Sequence, residues 1–361
     1  MREPTLLGRP AVERFAMLLG DDVTGFPASL AERYRLAREL GRGGMATVYL
    51  DQDLKHDRPV ALKVLHPELG AALGPERFLR EIRIAARLRH PHIVPLYDSG
   101  NADGLLYYVM PYVEGESLRD RLRREPQLPV DEALGIAREV ADALTHAHEH
   151  ELIHRDIKPE NILLEGGHAL VADFGIARAV GGTATTQLTV TGLAIGTPAY
   201  MSPEQAVGDV VDVRTDIYAL GCVLYEMLAG QPPFAAPTAQ ASIARRLTEP
   251  APRIRLVRDA VPAHLEQAIM TALERAPTDR FPSAAIFRDA LAGGSGAPER
   301  SGRAEAQMGR RATRRRTKLA LAAVVVLTLA VGTIALPRMG RLRGGRAPVA
   351  AAKGGSPASI S

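Results

Sequence analysis

Residues 152–175 read LIHRDIKPENILLEGGHALVADFG and contain two carboxylates, Asp156 and Asp173, that stand seventeen positions apart. Two short apolar runs, ILL and ALVA, lie between them and are separated by the turn-like sequence EGGH. Apolar runs on either side of a glycine-containing turn are typical of a β-hairpin. The spacing therefore predicts a hairpin whose two ends bring Asp156 and Asp173 together.

Two further polar side chains follow Asp156 closely, Lys158 after two positions and Asn161 after five. An acid, an amine, an amide and a second acid in one short hairpin can hold a divalent metal ion and a polyphosphate against a hydroxyl nucleophile. Ordinary salt bridging among Arg155, Asp156 and Lys158 is the alternative. It explains each residue singly but does not explain the set.

The same stretch resembles the catalytic loop and the DFG motif of a protein kinase, and DIKPEN is typical of the bacterial eukaryotic-like serine/threonine type. The resemblance covers residues 34–292. It implies an α+β, bilobal protein-kinase fold, with a small antiparallel-sheet N-terminal lobe and a helical C-terminal lobe, followed in this chain by one transmembrane helix. It also implies transfer of the γ-phosphoryl group of ATP to Ser or Thr hydroxyls of proteins, with activation-loop autophosphorylation.

The resemblance gives each polar group of the stretch a role. Asp156 accepts or orients the proton of the substrate hydroxyl, and Lys158 steadies the transferred phosphoryl group. Asn161 and Asp173 are the expected metal ligands, for Mg²⁺ or for Mn²⁺ in its place. A catalytically silent pseudokinase, acting as a membrane-tethered binding module, would be expected to lack Lys63, Asp156 or Asp173, and all three are present.

A glycine-rich turn at residues 41–44 lets backbone N–H groups approach phosphates, although such a turn alone is weak support for a nucleotide site. Lys63, at the end of VALK, resembles the lysine that holds the α- and β-phosphates. Glu81 lies in a predicted amphipathic helix and resembles the glutamate that pairs with that lysine and orders it. The residues predicted to bind ATP are Leu40, Gly41, Arg42, Gly43, Gly44, Met45, Ala46, Thr47, Val48, Lys63, Met110 and Val113.

Two positions depart from the family pattern. Ala46 stands where the third glycine of the turn is usual, which predicts a slightly stiffer loop without loss of ATP binding. Pro111 replaces the usual hinge glutamate and has no N–H to donate. In the family the main adenine donor lies two positions later, at Val113, and Met110 is the gatekeeper, so binding is expected to survive.

A threonine-rich polar loop follows the DFG motif. The resemblance places activation-loop phosphosites at Thr189 and Thr191, whose phosphates would pair with Arg155 and order the loop. A merely flexible loop is the alternative. Further along, Glu204 and Arg280 resemble a buried structural ion pair, and Asp216 resembles the residue that braces the catalytic-loop backbone.

His150 and His154 complete an HExxH pattern, which on a helix would place two zinc ligands on one face. That interpretation needs a helix running through His154. Leu152 and Ile153 favour β structure and Pro159 follows closely, so the helix over 131–150 is expected to end near His150. The metalloprotease hypothesis is therefore rejected.

The charge distribution excludes a nucleic-acid-binding catalytic domain. The net charge is +4, but residues 301–361 hold twelve Lys or Arg and one acid, which leaves −7 for residues 1–300. The one cysteine, Cys222, excludes an internal disulfide framework, fits a reducing compartment and lies in an apolar run that predicts burial.

A single membrane span is predicted near the C-terminus. Residues 319–336 contain no charge and would extend ~27 Å as a helix, close to the thickness of a hydrocarbon core. A buried helix is the alternative for this run, and a nucleic-acid arm for the arginines before it. The predicted segments are an N-terminal extension (1–33) that is not a signal peptide, the kinase domain (34–292), a basic juxtamembrane linker (293–318), the transmembrane helix (319–337) and a short tail (338–361).

This arrangement predicts a single-pass protein of the cell (inner) membrane with a cytoplasmic kinase domain. The expected partners are ATP, protein substrates with Ser or Thr, and membrane lipids that contact the span and the basic run. No nucleic acid is expected, and a homodimer is compatible with the sequence.

Overall fold

A five-stranded antiparallel sheet forms the first lobe. The structure is a computed structural model that describes residues 28–174 and 198–293. The strands lie in the order β1-β2-β3-β5-β4, and two helices connect β3 to β4. The elements are β1 (Tyr34–Arg42), β2 (Ala46–Asp53), β3 (Arg58–Leu65), α1 (Pro67–Leu73), α2 (Pro75–Ala85), β4 (Asp98–Ala102) and β5 (Leu105–Pro111).

Helix α2 packs on one face of this sheet because it is amphipathic. Phe78, Ile82 and Ala85 recur at helical spacing and are buried, while charged residues cover the other side. Phe78 and Ile82 join Tyr108 and Met110 of β5 in one apolar cluster. The predicted helix is thereby confirmed, and its buried face lies next to the strand that leads into the hinge.

The second lobe is mainly helical and follows a short connection after β5. Its elements are β6 (Glu116–Ser117), α3 (Leu118–Arg124), α4 (Val130–Glu149), β7 (Ile162–Glu165), β8 (His168–Val171), α5 (Pro203–Val207), α6 (Arg214–Ala229), α7 (Ala239–Thr248), α8 (Ala263–Ala272) and α9 (Ala284–Leu291). Helix α6 is buried over its whole length from residue 215 to 229, and α4, α8 and α9 pack against it. A helix that is buried on every side lies at the centre of its lobe. Cys222 is among its buried residues, as predicted, and burial raises the pKa of its thiol to about 12.

The predicted hairpin is confirmed as β7 and β8. The strands pair antiparallel from Ile162 opposite Val171 to Glu165 opposite His168. Gly166 and Gly167 form the two-residue turn with φ of +59° and +86°, a left-handed conformation that glycine adopts without steric cost. The two ends of the hairpin therefore lie side by side, and each continues into one of the acidic motifs.

The last part of the N-terminal extension packs on the sheet. Residues 28–30 form a short 3₁₀ turn, Leu30 is buried beside Tyr34 and Tyr49, and the backbone N–H of Ser29 donates to Asp103 Oδ2 at 3.1 Å. The predicted linker, membrane span and tail, and the phosphosites Thr189 and Thr191, lie outside the described residues. No helix within residues 28–174 and 198–293 is both long and apolar enough to cross a membrane.

Asp51 is a carboxyl group inside the first lobe that is buried without a described partner to compensate for its burial. Asp51 of β2 is fully buried, and among the residues that the structure describes neither of its carboxylate oxygens has a hydrogen-bond partner. Burial raises the pKa of Asp51 to about 7. In the unfolded chain an aspartate titrates near 3.9, so folding becomes less favourable as pH rises from ~4 through about 7.

Asp51→Asn is therefore expected to stabilise the protein, because asparagine has no charge to bury. Its advantage over the wild type should grow by about 2–3 kcal/mol between pH 5 and pH 8. Urea unfolding at both pH values measures this difference. Asp53→Asn is the matched control: burial raises the pKa of Asp53, but hydrogen bonds from His56 and Lys55 outweigh this and lower it. This control should therefore lose stability at both pH values, and its loss should not grow between pH 5 and pH 8. A pH-independent effect of Asp51→Asn would contradict the prediction.

Candidate active site

Asp216 of α6 holds the backbone of the catalytic loop, as predicted. Its carboxylate accepts from the backbone N–H groups of His154 at 2.8 Å and Arg155 at 2.7 Å, and it lies 2.8 Å from His148 Nε2. Burial raises the pKa of Asp216, but the hydrogen bond and charge of His148 and the other donors outweigh burial and lower it. Arg155 has a φ of +68°, which is unusual for a residue with a side chain. The buried carboxylate stabilises this strained turn.

The HExxH pattern does not form a helical metal site. Helix α4 ends at Glu149, and Glu151 has a φ of +58°, so the chain turns away before His154. His150 Nδ1 lies 2.8 Å from the His146 carbonyl, whereas the buried His154 ring places Nε2 2.9 Å from the Ala172 carbonyl. Within the described ranges, no group of three or more His, Cys, Asp or Glu residues is arranged to hold a metal ion. The two histidines therefore do not share one helical face.

The loop between α4 and β7 brings the catalytic-loop side chains together. Asp156 Oδ2 accepts from Lys158 Nζ at 2.6 Å. Asn161 Nδ2 donates to the backbone oxygen of Asp156 at 2.8 Å and to its Oδ2 at 3.1 Å. The amide thus fixes the position of the carboxylate, and the amide oxygen is the atom of Asn161 that remains for a cation. The Lys158 salt bridge and the Asn161 hydrogen bonds place these side chains in one cluster around Asp156, as the spacing predicts.

At the other end of the hairpin, Asp173 is held by two donors. Lys63 Nζ donates to Asp173 Oδ2 and the Tyr108 hydroxyl donates to Oδ1, each at 2.5 Å. Burial raises the pKa of Asp173, but the Lys63 charge and the hydrogen bonds from Lys63 and Tyr108 outweigh burial and lower it. Burial and the nearby Asp173 charge raise the pKa of the Tyr108 phenol. Asp173 is therefore ionised at neutral pH.

The predicted ion pair between Lys63 and Glu81 is not formed in this structure, and this expectation was wrong for the arrangement described. Glu81 is buried on α2, and its nearest described basic group is Arg80 at 3.8 Å. The physical reason lies at Asp173, which is taken out of water and needs a counter-charge that Lys63 supplies. The role of Glu81 stays a prediction, and Glu81 does not line the cleft.

A cleft of about 880 Å³ separates the sheet from the catalytic loop. The predicted nucleotide residues line it with one exception, Thr47 of β2. That side chain is buried, and its hydroxyl lies 3.3 Å from His66 Nε2. Side chains alternate along a strand, so Ala46 and Val48 face the cleft and Thr47 faces away. The predicted site residues that line the cleft are Leu40, Gly41, Arg42, Gly43, Gly44, Met45, Ala46, Val48, Lys63, Met110, Val113, Asp156, Lys158, Asn161 and Asp173, and their roles stay predictions.

Ala61, Leu163 and Ala172 are among the small or apolar cleft residues that the sequence analysis did not predict. Ala61 stands two positions before Lys63 on β3, so strand alternation could have found it. Ala172 and Leu163 are marked only by their nearness to Asp173 and Asn161. Gly115, also in the cleft wall, is required sterically, because a Cβ there would lie 1.9 Å from the Leu164 carbonyl oxygen.

The predicted structural ion pair of the second lobe is confirmed. Arg280 donates to both carboxylate oxygens of Glu204, each at 2.7 Å, and both side chains are buried. Thr215 Oγ1 also donates to Glu204, at 2.7 Å. Burial raises the pKa of Glu204, but the Arg280 hydrogen bonds and charge outweigh burial and lower it. The pair connects α5, just after the 175–197 segment, to the loop before α9.

Comparison with known proteins agrees with this geometry. Residues 34–289 match the family described as "Protein kinase domain". The serine/threonine-protein kinase PknB of Mycolicibacterium smegmatis is 43% identical over 271 residues, which cover 73% of this chain and 43% of that protein. PknB of Mycobacterium leprae is 41% identical over 271 residues, covering 73% of this chain and 43% of the relative. PknD of Mycobacterium tuberculosis is 44% identical over 254 residues, covering 70% and 38%. The chain therefore spans less than half the length of these curated relatives.

Proposed function

This chain belongs to the protein kinase family, and on that premise we propose that it transfers the γ-phosphoryl group of ATP to serine or threonine hydroxyls of proteins. The observation that carries the proposal is one cleft in which Lys63 and Asp173 face the catalytic-loop residues Asp156, Lys158 and Asn161. The DIKPEN sequence and the similarity to serine/threonine-protein kinases PknB and PknD support the choice of acceptor.

The cleft fits a nucleotide with a bound divalent ion. The glycine-rich turn lines the cleft, and so do Met110 and Val113, whose apolar side chains suit an adenine ring. Asp173 and Asn161 offer the carboxylate and amide oxygens that Mg²⁺ prefers, and Lys63 supplies a cation for phosphate oxygens. A bound Mg²⁺ would neutralise the charge that develops on the phosphates. In this structure Lys63 contacts Asp173, so its ammonium group lies beside a proposed metal ligand.

Asp156 is the group we assign to the acceptor hydroxyl. Lys158 and Asn161 fix its carboxylate, and a preorganised carboxylate needs no rearrangement when the hydroxyl loses its proton. Lys158 also brings a positive charge beside the place where the transferred group passes. The hydrogen bonds that the backbone N–H groups of His154 and Arg155 donate to Asp216 fix the position of this loop beside the cleft.

Label transfer from γ-labelled ATP in the presence of Mg²⁺ tests the proposed activity. The full chain is expected to label itself, with threonine label mapping to Thr189 or Thr191, and to label an added mixture of proteins on Ser and Thr. Chelating the metal should abolish both signals. If no label is transferred to either acceptor while the chain still binds ATP, the pseudokinase alternative replaces the proposal.

We also propose that residues 319–337 anchor the protein in the membrane, with the catalytic domain in the cytoplasm, where ATP is available. The eighteen uncharged residues and the arginine-rich run before them support this proposal. The full chain should stay with the membrane fraction after alkaline carbonate washing, and a chain lacking 319–337 should not. Recovery of both chains in the supernatant would refute the anchor.

A further inference from the structure

One arginine at the edge of the cleft makes three polar contacts with three distant parts of the chain. Arg119 of α3 donates through Nε to Glu160 Oε1 at 2.9 Å and through Nη1 to Glu226 Oε1 at 2.8 Å. Its Nη2 donates to the Tyr200 hydroxyl, and that hydroxyl donates to the second oxygen of Glu226. Two carboxylates and a phenol therefore form a socket for one guanidinium, and the side chain of Arg119 is only 18% exposed within it.

The socket lies where an acceptor segment must approach. Glu160 belongs to the catalytic loop, between Lys158 and Asn161, and both Arg119 and Glu160 line the cleft. Tyr200 belongs to the turn Pro198–Tyr200, which leads into α5. A protein segment that places its hydroxyl at Asp156 must therefore pass near these groups.

Among the described residues, each carboxylate that lines the cleft lies within salt-bridge distance of a Lys or Arg side chain of the same chain. Asp156 and Asp173 contact lysines, and the other three contact arginines. The arginine pairs are Glu116 with Arg124, Asp120 with Arg123, and Glu160 with Arg119. Glu226 is buried behind Arg119, so its charge is also compensated. A basic side chain on a substrate would find no uncompensated carboxylate here.

We propose that Arg119 occupies a guanidinium site that would otherwise bind a basic side chain of the protein substrate, so that the acceptor segment is neutral or acidic at the position facing Glu160 and Glu226. This inference rests on the proposed kinase activity and narrows its substrate class. An incoming arginine would meet the Arg119 guanidinium instead of the two carboxylates, and like charges that cannot be solvated disfavour the wrong partner.

The proposal can be tested with synthetic peptides. Each peptide carries one threonine and has Arg, Ala or Glu at one position within three residues on either side of it. The full chain is expected to phosphorylate the Ala and Glu peptides with a kcat/KM at least ~3-fold above that of the Arg peptide at one position. Arg119→Ala should reverse this order and favour Arg over Ala by about tenfold at the same position, because the vacated carboxylates then form charged hydrogen bonds with the substrate.

Arg121→Ala is the matched control. Arg121 also belongs to α3, but its described ion pairs are with Glu125 and Glu132, which do not line the cleft, so removing it leaves the socket filled and frees no cleft carboxylate. This variant should keep the wild-type order of the three peptides. A reversal in Arg121→Ala as large as in Arg119→Ala would overturn the assignment to the socket.

The outcomes separate this inference from the activity on which it rests. If the wild type labels no peptide and does not label itself, the proposed activity fails. If the wild type labels peptides but favours the Arg peptide about tenfold at any position, only the inference fails. The same holds if a folded Arg119→Ala variant shows no higher kcat/KM for the Arg peptide than the wild type does. Thermal unfolding shows whether Arg119→Ala is folded. If it is not, the wild-type scan and an Arg119→Met variant, which keeps the apolar stem, decide in the same way.

Discussion

Asp156→Asn is expected to lower the rate of phosphoryl transfer by about 10²–10⁴-fold while the protein stays folded and still binds ATP. Asparagine has the same shape and keeps an oxygen for Lys158 and Asn161, so the loop geometry should survive. It has no negative charge, however, and cannot take the proton of an acceptor hydroxyl. The loss should therefore appear in kcat, with little change in the affinity for nucleotide.

Initial rates of label transfer to protein, together with a separate nucleotide titration, measure the two quantities. Asp259→Asn is a suitable control, because Asp259 is an almost fully exposed carboxylate of the helical lobe that does not line the cleft. Its activity should equal that of the wild type. An Asp156→Asn protein that keeps more than a tenth of the wild-type rate would show that another group handles the proton.

The sequence predicted the parts of the site whose causes are local. The hairpin from Ile162 to Val171 follows from two apolar runs and a glycine pair, and the end of α4 near His150 follows from the residues after it. The alternation that places Thr47 away from the cleft is equally local, and applying it along β2 would have removed that residue from the predicted set.

The local sequence pattern could not predict which of several distant residues a side chain contacts in the folded protein. Lys63 has two acids to choose from, Glu81 on α2 and Asp173 after β8, and the relative placement of α2 and the hairpin decides between them. Arg119 gave no sequence signal at all, since GESLRDRLRR reads as an exposed basic helix. Its partners lie 41, 81 and 107 positions away, so only the folded chain brings them together.

Arg280→Met is expected to destabilise the protein by about 3–5 kcal/mol, the largest stability effect among these substitutions. The arginine side chain is fully buried, and its loss leaves the Glu204 carboxylate without its counter-charge in the core. Three backbone carbonyls, those of Arg214, Glu274 and Arg275, also lose the donor that they share. Because Glu204 has a lowered pKa, the pair stabilises the protein above the ordinary glutamate pKa near 4.3, and that stabilisation is lost as pH falls through the lower folded value.

Urea unfolding at pH 7 measures this loss, and two further variants identify its cause. Changing both partners, Glu204→Leu with Arg280→Met, removes the unpaired charge and should recover at least about 1 kcal/mol relative to Arg280→Met alone. Arg255→Met breaks an exposed pair with Asp259 and should cost less than about 1 kcal/mol, because solvent screens that pair. If the double variant were as unstable as the sum of its single changes, the cost would come from lost packing and carbonyl bonds, and the buried charge would not be its source.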